Sequence, residues 1–434
     1  MMMNLAYDLR LETEELPARP ADTRPIPRIT IQAFCDTPEI AGTIETAAGD
    51  RRMARAHVKV HTGGVGAAAE FYRTAPTPNL ILVESRLAAD DLIGSLDSLA
   101  EVCDAGTKVM VIGHSNDVQL YRELLKRGVS EYLVAPVGVM TIITAISGVY
   151  REAGTEKLGQ VYSFIGAKGG VGSSTIAHNV SWTMARLFGS DVILADLDLP
   201  FGTAGLDFNL DPTQGIAEAV FGADRLDEVL LDRLLAKCED HLSLLAAPAA
   251  LEKSYDFGEA AFDQVLEIVQ ANVPSVVLDV PHLWTSWARK TLVAADEVVI
   301  TAVPDLANLR NAKSIVDLLK QARPNDAPPK LILNMVGVPK RPEIKPDDFA
   351  AALQISPIAT IPFEPLLFGT AANNGQMIAE ASAKTSVSDI FADVAQVITG
   401  RKELKRKARR AFDLSPLLQR LKARPKAKPR PKKA

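Results

Sequence analysis

Phe164-Ile165-Gly166-Ala167-Lys168-Gly169-Gly170-Val171-Gly172-Ser173-Ser174-Thr175 is the stretch on which the fold turns. An apolar run, Val161–Ile165, leads into it, and a helical pattern leaves it from Ile176. Strand, glycine loop and helix in that order make a polyphosphate cradle. Glycines let the backbone approach closely and turn its N–H groups inward, and the helix N-terminus adds the positive end of its dipole. The ordinary pattern is G-x-x-x-x-G-K-[ST]. Here Ala167 replaces the first glycine, Ser173 stands where the phosphate lysine belongs, and Lys168 is an extra lysine near the start of the loop. A glycine turn that only packs a helix on a strand would look similar, so the downstream residues must decide.

Working outward, apolar runs at Val161–Ile165, Val192–Ala195, Leu242–Leu245, Val276–Leu278, Val298–Thr301, Leu331–Leu333 and Ile358–Ile361 are spaced widely enough for crossover helices. They predict a doubly wound parallel sheet spanning residues 160–400. Ligands in such sheets bind beyond the carboxyl ends of the strands, and Asp198, Asp279 and Asn334 all terminate apolar runs. They are expected to converge on the loop. Magnesium needs few carboxylates, so Ser174 with Asp198 and Asp279 would suffice to hold it.

The sequence Lys168-Gly169-Gly170-Val171-Gly172 with its leading lysine resembles the deviant Walker A loop of the MinD/ParA family of P-loop ATPases. Leu194-Ala195-Asp196-Leu197-Asp198 is similar to the family's Walker A′ strand, and Val276-Val277-Leu278-Asp279-Val280-Pro281 to its Walker B strand and switch II proline. Leu333-Asn334 and Ile361-Pro362, followed by Glu364, resemble the segments that flank the base. The resemblance implies ATP and Mg2+ as cofactors. It implies a cradle of Lys168, Gly169, Gly170, Val171, Gly172, Ser173, Ser174 and Thr175, with Asn334 and Pro362 near the adenine. It gives Asp198 the task of positioning magnesium and the attacking water, and Lys168 that of reaching across a homodimer to the partner's nucleotide. Losing the usual lysine removes a countercharge on which phosphoryl transfer depends, so binding is expected to survive better than hydrolysis.

Ahead of this lies a second α/β alternation over residues 28–151, with strand runs at Ile29–Phe34, Leu80–Val83, Val109–Ile112 and Tyr132–Val134. Asn79-Leu80-Ile81-Leu82-Val83-Glu84 resembles the third strand of response-regulator receivers, a flavodoxin-like fold, with Glu84 at the phosphoacceptor position. The acidic pair is reduced to Cys35-Asp36, Gly113 stands at the Ser/Thr position and Ala135 at the lysine. Without those groups a carboxylate longer by one methylene is not equipped to accept phosphate. An interaction domain is expected.

Composition bounds the remainder. The chain has 434 residues, 47% hydrophobic and 23% charged, which suits two or three globular domains. Cys35, Cys103 and Cys238 are far apart, so neither a disulfide framework nor a cysteine-bound cluster is supported. The six histidines are scattered, with only His57 and His61 close together, and no zinc site is expected. Residues 1–27 read as a flexible leader carrying acidic residues and no apolar core, unlike a secretory signal, and residues 152–159 read as a linker. Residues 401–434 hold 15 basic and 2 acidic residues, net +13 against −5 for the whole chain, so the rest carries −18. This tail, with a short leucine-faced helix beginning near Ser415, suits an anionic membrane surface or a partner better than DNA.

A degenerate receiver ahead of a MinD-like domain resembles the CpaE/TadZ proteins of Flp-type pilus assembly. That resemblance implies a cytoplasmic factor, peripheral to the inner membrane at a cell pole, working with the secretion motor ATPase and other pilus proteins. An active MinD-like switch and a ParA-like DNA-partitioning ATPase are the alternatives.

Overall fold

Leu80, Ile81, Leu82 and Val83 are wholly shielded from solvent, as are Val276, Val277 and Leu278. Near-continuous apolar runs of this kind belong to parallel strands covered by helices on both faces. The computed structural model describes residues 25–150, 159–248, 251 and 254–402, and within them it contains two such sheets.

The front sheet comprises β1 (Thr30–Cys35), β2 (His57–Thr62), β3 (Leu80–Ser85), β4 (Lys108–Gly113) and β5 (Glu131–Val134), parallel in the order β2-β1-β3-β4-β5. This is the flavodoxin-like doubly wound order. The sequence reading had no counterpart to β2, whose residues HVKVHT are only partly buried because the strand lies at an edge.

The second sheet comprises β6 (Gln160–Gly166), β7 (Val192–Asp196), β8 (Ala236–Glu239), β9 (Leu242–Leu245), β10 (Ser275–Val280), β11 (Glu297–Ala302), β12 (Lys330–Val336) and β13 (Pro357–Pro362). Their order is β13-β12-β11-β6-β10-β7-β9-β8. Each expected strand run falls within one of these strands. The expectation of a wholly parallel sheet needs one correction: edge strand β8 runs antiparallel to β9. Asp240 and His241 join them in a turn too short for a crossover, with His241 at a left-handed φ of 63°. Strand β6 lies at the centre. The chain moves to one side of it for β7 and β10 and to the other for β11, so the glycine loop opens at the switch point of the winding.

Two boundaries shift. Ile26 is fully buried and its N–H donates to Arg52 O at 2.8 Å, so residues 25–27 belong to the front domain rather than to a leader. Gly159, expected in the linker, donates to Gln270 O at 2.7 Å and is already anchored at the base of the second sheet. The leucine-faced helix expected near Ser415 lies outside the described residues. At the start of the expected tail, the Arg401 guanidinium stacks 3.7 Å from the Phe188 ring centroid.

The domains meet through a charged junction. Arg51 and Arg52, in a single helical turn before β2, reach residues just ahead of β11 and β12. Arg51 Nε pairs with Asp326 at 2.8 Å, and its guanidinium also donates to Ala294 O at 2.8 Å and contacts Asp296 at 3.3 Å. Arg52 pairs with Asp326 and with Asp50 at 2.9 Å, while Asn325 Nδ2 donates to Asp50 at 2.9 Å and Arg323 Nε to Asp326 at 2.7 Å. These residues stand at the amino ends of parallel strands in both sheets. The sheets therefore meet base to base, and their carboxyl edges lie away from the junction.

Candidate nucleotide-binding site

Strand β6 delivers the chain into a loop, residues 166–172, whose Lys168, Gly169 and Gly170 are exposed, and the helix Ser173–Phe188 follows. Gly170 and Gly172 have φ of 78° and 83°, in the left-handed region that glycine tolerates without a Cβ penalty. At Gly172 a Cβ would also lie 2.6 Å from Asn334 Nδ2.

The loop is braced by three side chains from other elements. His282 Nδ1 donates to Gly166 O at 2.9 Å, Asn311 Nδ2 to Ala167 O at 3.0 Å, and Asn334 Nδ2 to Val171 O at 2.8 Å. A carbonyl only accepts, so His282 carries its proton on Nδ1. Three loop carbonyls are thereby occupied from the protein side. Ser173, at the usual lysine position, has its hydroxyl buried with no hydrogen-bond partner among the described residues.

Asp196 and Asp279 lie at or near the ends of neighbouring strands β7 and β10, 1% and 3% exposed. Leu197 N–H donates to Asp279 O at 3.0 Å and ties the two strand ends together. Asp196 accepts from the N–H groups of Asp198 and Ala204, both at 3.1 Å. Burial, then the Asp279 charge, pushes its carboxyl above the ordinary range. Asp198, in the loop beyond β7, accepts from Phe201 N–H at 3.3 Å, and burial raises its carboxyl too. Asn334 sits on β12 and Pro362 ends β13.

His178, one turn after Ser174 on the same helix, is fully buried. Its Nδ1 is 2.7 Å from Asp207 Oδ2 and its Nε2 is 3.3 Å from Asp279 Oδ2. Burial opposes the charged imidazole, but the two carboxylates outweigh it and hold the group at about 10. The sequence places His282 directly after the Walker B-like strand and has His178 only among the scattered histidines, and Asn311 is not singled out at all. For His178 the signal was its i+4 spacing from Ser174, which puts both on one helix face. For His282 the signal was its place directly after the Walker B-like strand, while nothing in the sequence marked Asn311, whose contact is made across the fold.

In the front domain, Glu84 is fully buried at the end of β3. It accepts from Thr37 N–H and Thr37 Oγ1, both at 2.8 Å, and contacts His114 Nε2 at 3.0 Å. Gly113 is glycine for a steric reason, since a Cβ there would overlap the Tyr132 phenol, whose hydroxyl donates to Ser115 O at 2.8 Å. The carboxylate that resembles a phosphoacceptor is thus fully engaged within the domain.

The AAA domain family model matches residues 159–330. The septum site-determining protein MinD of Synechocystis is 30% identical over 154 residues, 35% of this chain and 56% of that protein, so the chain spans about half the length of this curated relative. A ParA family ATPase from Chlorobium tepidum, 24% identical, superposes with a TM-score of 0.50 over 55% of this chain and 98% of that one, a likeness of fold. The pilus assembly protein CpaE of Caulobacter crescentus is 53% identical across 30% of this chain and 98% of the solved chain, in the front part of this protein, with a TM-score of 0.29. It is the sequence identity over nearly the whole of that solved chain, not the superposition, that decides the family. With a CpaE-like front domain and a MinD/ParA-like second domain in one chain, this protein belongs to the CpaE-type pilus assembly family.

Proposed function

We propose that this chain is an ATP-binding localisation and scaffold factor for a Flp-type pilus secretion system, which dimerises with ATP bound and hydrolyses it weakly or not at all. The observation that carries this reading is the braced loop. Gly170 and Gly172 hold left-handed conformations, His282, Asn311 and Asn334 occupy loop carbonyls, and the lysine that would neutralise developing charge is replaced by Ser173. Backbone amides and a helix N-terminus bind phosphate well in the ground state. Without the lysine they lack a countercharge that matters most in the transition state.

In this reading residues 168–175 hold the phosphates, and Asn334 and Pro362 lie toward the base. Ser174, Asp198 and Asp279 offer only oxygen donors, a set that suits Mg2+ and its retained waters. Bound magnesium would neutralise phosphate charge. Lys168 is exposed at the loop's tip, where it is available to a second copy. The carboxyl edge also displays Phe201 after β7, Leu283 and Trp284 after β10, Leu306 after β11 and Leu366 after β13, all at least half exposed. Apolar side chains clustered along one edge suit an interface. The front domain would receive the secretion motor ATPase or other pilus proteins. The tail would hold an anionic membrane surface, placing the protein on the cytoplasmic face of the inner membrane at a pole.

Light scattering of the full chain and of Lys168→Ala, each with ATP and with ADP, tests this. Dimers with ATP in the unmodified chain only are expected. A monomer in every state would overturn the reading, and rapid turnover lost in Asp198→Ala would replace it with an active ATPase switch.

A further inference from the structure

We propose that His178 Nε2, with one carboxylate oxygen each from Asp196 and Asp279, forms a binding site for a divalent first-row transition-metal ion, set behind the nucleotide loop. The three donor atoms lie within 4.8 Å of one another, and all three residues are buried. His178 Nε2 points into this cluster from a fully buried ring and, among the described residues, makes no aligned hydrogen bond, although Asp279 Oδ2 is 3.3 Å away.

A second observation sets this apart from a chance group of acids. The other ring nitrogen, Nδ1, is 2.7 Å from Asp207 Oδ2, and a carboxylate there accepts its proton and fixes the tautomer with Nε2 outward. Carboxylate–imidazole–metal relays are built this way, the outer carboxylate orienting the ring and raising its basicity. Asp196 is itself held by the N–H groups of Asp198 and Ala204, so two of the three donors are positioned by second partners.

The donor set selects the class of ion. A dication balances the two buried carboxylates of Asp196 and Asp279. An imidazole nitrogen suits ions such as Co2+, Fe2+ or Zn2+, whereas Mg2+ prefers oxygen and retained water. The ion binds the neutral imidazole through its Nε2 lone pair. The inner site shares only Asp279 with the oxygen donors proposed for the phosphate side. It requires no nucleotide, so it stands or falls separately from the proposed function.

The test is equilibrium dialysis of the full chain, freed of metal with a chelator, against Co2+ in nucleotide-free buffer, with the visible ligand-field spectrum recorded. One Co2+ per chain with a nitrogen-containing ligand field is expected, undisplaced by excess Mg2+. His178→Gln should weaken binding by about tenfold or more, and Asp207→Asn by about 10–100-fold, as loss of an outer-shell partner does elsewhere. His241→Gln, at an exposed histidine paired with Asp191, should bind as the unmodified chain does. If His178→Gln fails to fold by circular dichroism, Asp207→Asn carries the comparison. No Co2+ uptake, displacement by Mg2+, or equal binding by the unmodified chain and the Asp207 variant would overturn the proposal. His178 would then be only an ion-pair partner of the surrounding carboxylates.

Discussion

Gly172 shows at a single residue why the loop has its composition. A side chain there would be strained at a φ of 83° and would press on the Asn334 amide that braces Val171 O. Gly172→Ala is expected to cost about 1–3 kcal/mol from the left-handed backbone alone. It should also weaken nucleotide binding through displacement of Asn334. Thermal unfolding and a nucleotide titration of the same variant check the two effects. A variant with unchanged melting and unchanged affinity would show that the loop is not held in this geometry. The glycine spacing and the strand-end aspartates were visible in the sequence because they are local. The bracing roles of His282 and Asn311 were not, since Gly166 lies 116 positions from the first and Ala167 lies 144 from the second.

Legibility at the scale of elements followed burial. Runs such as Leu80–Val83 and Val276–Leu278 are apolar throughout because helices cover both faces, and they announce themselves as parallel strands. Strand β2 escaped because an edge strand of alternating His, Val and Lys has no continuous apolar run. Strand β8 escaped because AKCE is short and half-exposed and its direction is set by a tight turn rather than by a crossover. The packed stretch at residues 25–27 was misread for the opposite reason. Two prolines and two arginines flank Ile26 and suggest a solvated leader, yet within residues 25–27 Ile26 supplies an apolar side chain that the front core buries. Glycine at position 113 read as a lost functional residue, and the structure gives it a packing role under Tyr132.

For the molecule as a whole, the base-to-base junction is the feature no local pattern could disclose. Asp326 gathers Arg51, Arg52 and Arg323 at a buried point between the domains. Burial alone would raise its carboxyl, but those three guanidinium groups hold it well below the ordinary 3.8. A carboxyl depressed in the folded state contributes stability that is complete above its unfolded value and is lost as pH falls through its lower folded value. Unfolding monitored against pH should therefore show a steep loss below about 3.8 that Asp326→Asn flattens. At neutral pH that substitution takes the carboxylate partner from the buried Arg323 and one of two from each of Arg51 and Arg52, and should cost about 3–5 kcal/mol. The junction should also come apart, so that the two domains melt separately in calorimetry. One cooperative transition in the variant would mean that the domains are coupled by other contacts. Because the junction consumes only the amino edges of both sheets, the nucleotide loop and the Glu84 end of the front domain stay available at once.

Main-chain amides around residues 169–174, braced from behind and lacking the usual ammonium group, are proposed to hold a triphosphate. Isothermal titration of the full chain with Mg-ATP tests this most directly. Saturable binding of one nucleotide per chain, weakened in Gly172→Ala, is expected; a flat titration at protein concentrations that would reveal micromolar binding would mean that the loop holds no triphosphate.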